Sequence, residues 1–298
     1  MKSPTGILVY IGKLIVSGIA FLVGTAVTVA ILMPFHLHSL VLPAGASAGK
    51  SELRQIMLCP VLALGLAPLA AGLAGRYRAR WQAIALLVFI ILGVNTTIEA
   101  KFFTTSFAHG GELFVILMYA GAAAVFAAMV VGLFHPDVPT PAVKEQRSPF
   151  GWAWRILLAV LAFPAIYFLF GMAVSPFVLA QYRAGVAGLV LPSLRVILPV
   201  EFVRSVLFLL ASLPAILLWS RSRWGLVLAL GWAHVVTNGL YGLLSAYWLP
   251  TVLRVAHSIE ITFDSFVYAL VIVMLFKTAV AAPRAATTPR EVGSAPAV

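Results

Sequence analysis

The chain has 298 residues, 62% of them hydrophobic and only 10% charged, with a mean hydropathy of +1.05 and a formal net charge of +11. That apolar content exceeds what soluble domains carry and predicts an all-α integral membrane protein in a lipid bilayer. The positive balance is not a nucleic-acid patch, because the Lys and Arg residues are scattered at the ends of apolar segments, where they fix membrane topology.

Lys2 precedes an apolar run over 7–33, well beyond the roughly 7 to 15 residues of a signal-peptide core, so it reads as a retained first helix. Further runs long enough to span follow at 54–75, 81–101, 112–134, 152–175, 201–219, 224–248 and 257–276, which makes about eight transmembrane helices. The lone cysteine, Cys59, lies inside the second run; it excludes an internal disulfide and reads as a packing residue. Residues 136–149 form a polar linker with Asp137, Lys144, Glu145 and Arg147 among prolines, and 281–298 reads as a disordered tail. Trp152, Trp154, Trp224, Trp248 and Tyr182 sit near span ends, as an interfacial belt does. No phosphate-cradling glycine loop or nucleophile elbow appears, which argues against ATP-driven work.

With eight spans, Lys2, Arg76, Arg78, Arg80, Lys144, Arg147, Arg221, Arg223, Lys277, Arg284 and Arg290 share one side. The positive-inside rule makes that side the cytoplasm, with both termini in it, as in a bacterial inner membrane. Glu52, Glu99, Glu112, Glu201, Glu260 and Asp264 then fall in or near the opposite half, with Arg54, Lys101, Arg204, Arg254, His36, His38, His109 and His257.

The central linker divides two similar halves, 1–135 and 150–280. Lys13 and Arg155 are followed at equal distance by Pro34-Phe35 and Pro176-Phe177, read as helix-ending prolines. Leu40-Val41-Leu42-Pro43 matches Leu189-Val190-Leu191-Pro192, and Glu52 and Glu201 follow these prolines at equal spacing, with Arg54 or Arg204 just after. Arg78-Ala79-Arg80-Trp81 matches Arg221-Ser222-Arg223-Trp224, and Asn95 and Asn238 stand equally far beyond the tryptophans. His109-Gly110-Gly111-Glu112 matches His257-Ser258-Ile259-Glu260, and both halves close on Leu-Phe, at 133–134 and 275–276. The expected architecture is two tandem four-helix repeats related by a parallel pseudo-twofold axis along the membrane normal.

The last span carries Arg254, His257, Glu260, Asp264 and Tyr268 at helical spacings of three and four, predicting one polar stripe turned toward protein. A central membrane charge costs about 2.5 to 3.5 kcal/mol on insertion scales, so such a stripe needs partners, water or an ion. Glu201, Arg204, Asn238 and His234 are expected to face it, as a pathway for a small polar or ionic solute. Helical bundles that hold two metal ions use lone glutamates plus Glu-x-x-His pairs. With the pair order reversed, His109, Glu112, His257, Glu260, Glu52 and Glu201 are a candidate ligand set for a divalent metal, which would make the chain a membrane metalloenzyme. A third expectation is a non-catalytic clasp in which Arg54 and Arg204 pair with Glu112 and Glu260, in a subunit that packs helices or docks a membrane partner or a second copy.

His234-Val235-Val236-Thr237-Asn238, with Glu201 and Arg204 on the preceding span, resembles the CPBP intramembrane metalloproteases, in which a Glu-Glu-x-x-x-Arg helix meets Phe-x-x-x-His and His-x-x-x-Asn helices. The likeness covers the sixth and seventh spans alone: position 200 is Val, the arginine follows Glu201 one residue early, and no second His-x-x-x-Asn follows. It implies a metal-dependent protease.

Overall fold

The computed structural model describes residues 4–35, 43, 45–135 and 147–277, of which 85% are helical, with no strand among them. Eight helices are long and apolar enough to cross a membrane: α1 (Thr5–Phe35), α2 (Ala48–Gly72), α3 (Tyr77–Phe103), α4 (Glu112–Leu133), α5 (Pro149–Arg183), α6 (Leu194–Leu218), α7 (Arg223–Ser245) and α8 (Thr251–Phe276). These apolar helices suit a polytopic membrane protein, each able to satisfy its own backbone in lipid. Most of the linker (136–146) and the whole tail expected at 281–298 lie outside the described residues, as do His36 and His38.

The helices outrun the apolar segments. α6 starts seven residues before Glu201 and α8 six before His257, so polar residues expected at helix mouths lie inside the helices. α5 is the largest departure: it continues through Pro164 and Pro176 to Arg183, so Pro176 does not end it. A proline removes one hydrogen bond of the ladder, which a packed membrane helix tolerates. The added turns carry Tyr182 to the level of His257.

α1 packs against α2 and α4, and α5 against α6 and α8. α3 lies along α4, and α7 along α8. Between the halves, α2 meets α7 and α3 meets α6. Several contacts recur in both halves. Lys13 Nζ donates to the Leu133 carbonyl and Arg155 Nε to the Leu275 carbonyl, each at 2.9 Å and across 120 residues. Tyr10 packs on Phe134 as Trp152 packs on Phe276, with centroids 5.6 and 5.7 Å apart. Edge-to-face pairs Phe21–Phe126 and Phe163–Tyr268 repeat the pattern deeper in the bundle.

We call the end where α1 begins and α8 finishes the lower end. There a short antiparallel bridge joins the ends of α2 and α6, Ala74 N donating to Leu218 O and Ser220 N to Gly72 O. At the upper end a second bridge ties the end of α3 to the α5–α6 loop, Thr105 N donating to Gly188 O and Val190 N to Phe103 O. Gly188 sits at φ +79°, and a Cβ there would fall 2.5 Å from Thr105 Oγ1, so both conformation and space call for glycine.

Along the seam, small residues let backbones close, as in membrane helix pairs. A Cβ on Gly65 of α2 would fall 2.6 Å from Cβ of Val236 on α7, an atom next to the backbone that cannot swing aside. Gly65→Leu should therefore part α2 from α7 and cost about 1 to 3 kcal/mol, read as a lower unfolding temperature in detergent. Gly132→Leu, where nothing lies within 4 Å of the added Cβ, should leave it unchanged.

Candidate functional site

Arg204 of α6 is the centre of the polar seam. It is 3% exposed, and its neighbour one turn earlier, Glu201, is fully buried. Arg204 Nη1 donates to Glu201 Oε1 at 2.7 Å, Nη2 to Glu99 Oε1 on α3, and Nε to Asn95 Oδ1 at 2.7 Å. Asn95 Nδ2 in turn donates to Asn238 Oδ1 of α7 at 3.0 Å. The rings of Phe163 and Tyr167 on α5 lie 5.7 and 5.5 Å from the guanidinium carbon, adding cation–π attraction on the apolar side.

Both asparagines lie in π-helical stretches, Val88–Asn95 within α3 and Val236–Leu240 within α7. A wide turn adds a residue to the helix and re-aims the side chains beyond it, a device frequent at functional sites. Here it brings together the two asparagines that stand equally far beyond Trp81 and Trp224.

From α8, His257 Nδ1 lies 2.6 Å from Glu260 Oε2 and Nε2 lies 3.2 Å from the Tyr182 hydroxyl of α5. In the neutral ring, Nδ1–H donated to the carboxylate leaves Nε2 to accept from Tyr182. Glu260 Oε1 faces Gly171, where a Cβ would come within 3.3 Å. One turn deeper, Asp264 lies within electrostatic reach of Glu260, Arg204 and Glu201. Asp264, Arg204, His234 and Asn238 wall a single cavity with Tyr167 and Tyr268. Its free volume of about 20 Å³ suits a small ion or about one water.

Besides the hydroxyls of Ser265 and Tyr268 on the cavity wall, three buried acceptor atoms of the seam lack a hydrogen-bond partner. Two are carboxylate oxygens, Glu201 Oε2 and Asp264 Oδ1. The third is on His234, which is fully buried. Ser212 gives its hydroxyl hydrogen to Phe208 O, so its oxygen accepts from His234 Nε2 at 2.9 Å. His234 Nδ1 is left as the free lone pair of a neutral imidazole.

Other expected positions fall elsewhere. Arg254 leaves the stripe: it borders an apolar groove with Val255, Ser258 and Ile259, on a face of α8 turned from Glu260 and Asp264. At 100° per residue it stands about 75° from the mean direction of the other four, so spacings of three and four did not keep it with them. The expected clasp is rewired. Arg204 takes Glu201 and Glu99, Glu112 pairs with Lys101 at 2.5 Å, and Glu260 with His257. Arg54 instead donates to Leu244 O and lies over Tyr247.

The six expected metal ligands do not converge. Among the described residues no three His, Cys, Asp or Glu side chains gather to hold a metal ion. Glu52 and His109 are exposed at the upper rim, while Glu201 and Glu260 are buried in the seam. Glu201 and His234, which carry the protease likeness, belong to no such group either. Glu99 is the residue sequence reasoning passed over, because it has no counterpart in the second half; its position one helical turn beyond Asn95 was the available signal. Searches against models of known protein families, curated proteins and solved structures returned no match.

Removing one partner of a buried ion pair leaves the other charge uncompensated. Arg204→Gln should cost about 3 to 5 kcal/mol, seen as a fall in thermal unfolding temperature in mild detergent. Adding Glu201→Gln to that variant should recover part of the loss, because it removes the charge that Arg204 no longer meets.

Proposed function

We propose that the chain is a membrane protein of two tandem four-helix repeats, 1–135 and 150–280 around the linker 136–149, whose seam cavity binds or passes a small cationic solute. The duplication is supported by contacts that recur at one step: 13 to 155, 133 to 275, 10 to 152, 134 to 276, 21 to 163 and 126 to 268 each differ by 142. The Asn95–Asn238 bond and the cross-packing of α2 on α7 and α3 on α6 fit a twofold axis through the seam. Arg76, Arg78, Arg80, Arg147, Arg221, Arg223 and Lys277 at the lower end support a cytoplasmic lower face in a bacterial inner membrane. The cavity then belongs to the outer half.

The surplus of acceptors carries the choice of solute. Each Arg204 nitrogen is engaged, by Glu201, Glu99 or Asn95, yet Glu201 Oε2, Asp264 Oδ1 and His234 Nδ1 lack a partner, with Glu260 and His257 in the same seam. Such a seam favours a proton or an ammonium group over an anion. In this reading Asp264, Glu260, Glu201, His257, His234 and Asn238 contact the solute, and Arg204 is the fixed countercharge that keeps the carboxylates from repelling one another.

A second reading, a non-catalytic clasp, is favoured by the engagement of every Arg204 nitrogen. One experiment separates the two. Proteoliposomes should take up one of a set of probe cations (protons by an internal pH dye, labelled sodium, potassium or methylammonium), and Asp264→Asn and Glu260→Gln should each lower the rate by about tenfold or more while unfolding temperatures hold. No uptake of any probe by the wild type, with both variants less stable, would leave the clasp.

A further inference from the structure

Arg254 is the one charged residue of α8 that the seam does not absorb. It lies between α7 and α8 at the upper end of a groove of about 440 Å³, whose apolar walls include Leu244, Val255, Ile259 and Phe263, all exposed on the outside of the bundle. Its Nε is buried without a partner, and its guanidinium makes one long hydrogen bond, Nη2 to Thr251 Oγ1 at 3.4 Å. No carboxylate among the described residues pairs with it.

We propose that this groove is a site for one phospholipid with an anionic headgroup, the phosphate held by Arg254 and one acyl chain laid along α8. The dimensions fit. Arg254 is the fourth residue of α8, in the first turn of a membrane-length helix, where a headgroup would meet it. From Arg254 to Phe263 the helix rises about 13 Å at 1.5 Å per residue, close to half of a hydrocarbon core of about 30 Å. The groove therefore spans one leaflet, charged at the water side and apolar to its foot. Its hydroxyls do not compete for the chain, since Ser258 Oγ donates to Arg254 O and Thr262 Oγ1 to Ser258 O. A neutral occupant would leave the guanidinium as it is, half-buried with an unused donor; an anionic headgroup satisfies both donor and charge.

Native mass spectrometry of the delipidated full-length protein tests this, with phosphatidylglycerol, phosphatidylcholine and inorganic phosphate as separate probes. The wild type should retain one phosphatidylglycerol about fivefold more strongly than phosphatidylcholine, the scale of one basic side chain at an anionic surface. Arg254→Gln should abolish the preference and Arg254→Lys keep most of it, with unfolding temperatures unchanged by either. Ser258→Leu, which fills the groove without touching the charge, should weaken both lipids. Equal retention of the two lipids by the wild type, an unchanged preference in Arg254→Gln, displacement of phosphatidylglycerol by inorganic phosphate alone, or a second copy of the chain bound in place of lipid would each overturn the assignment.

Discussion

A guanidinium held inside a membrane bundle is the constraint on which the rest of the seam depends. Arg204 cannot shed its charge, and lipid offers it neither water nor counterion. Three helices beside its own therefore converge on it: α3 supplies Glu99 and Asn95, α5 two aromatic rings, and α7 an asparagine that steadies Asn95. Glu201, on the same helix as Arg204, is buried only because Arg204 is there to neutralise it. The two π-helical stretches follow from the same demand, since each adjusts its helix where an asparagine must reach the partner half.

Once Arg204 is satisfied, the remaining polar atoms acquire meaning. Evolved cores leave few buried acceptors unpaired, because each costs about 1 to 3 kcal/mol. Two such atoms, Asp264 Oδ1 and His234 Nδ1, meet at one cavity from different helices, and Glu201 Oε2 lies in the same seam, a concentration that helix packing does not require. His257, Glu260 and Tyr182 form a satisfied chain at its side, linking α8 to the over-long end of α5. The arrangement joins a charge-balanced anchor to an acceptor-rich face, and the proposed cation site rests on that face.

Much of this was legible in the residues, for reasons that differ by residue. Spans are set by apolar length, so all eight emerged in order, and the lower-end arginines marked loops because charge is expelled from lipid. Asn95 and Asn238 were found by their equal distance from Trp81 and Trp224, a signal of duplication, and they touch. The partners of Arg204 were not legible. Sequence spacing reports neighbours along one helix, so it yielded Glu201, but the choice of Glu99 over Glu260 depends on how α3 and α8 rotate against α6. The same limit hid the turn of Arg254 into the lipid-side groove and promoted His109, Glu112 and Glu52, which repeat the pattern in sequence but stand at the upper rim. Pro176 misled for a separate reason: proline ends helices in water, where the freed carbonyl is solvated, more readily than in a packed membrane helix.

The central claim is that the seam cavity is reached by cations from the upper side, and substituted-cysteine labelling tests it most directly. In a Cys59→Ala background, Asp264→Cys should react with a membrane-impermeant, positively charged thiol reagent applied to the upper face, and react more slowly when a probe cation that the proteoliposomes take up is present. Phe263→Cys, whose parent side chain is 54% exposed and faces lipid, should stay unlabelled. Failure of Asp264→Cys to react from either face, in protein that unfolds at the wild-type temperature, would contradict the account and leave Arg204 and its carboxylates as a closed clasp between the two halves.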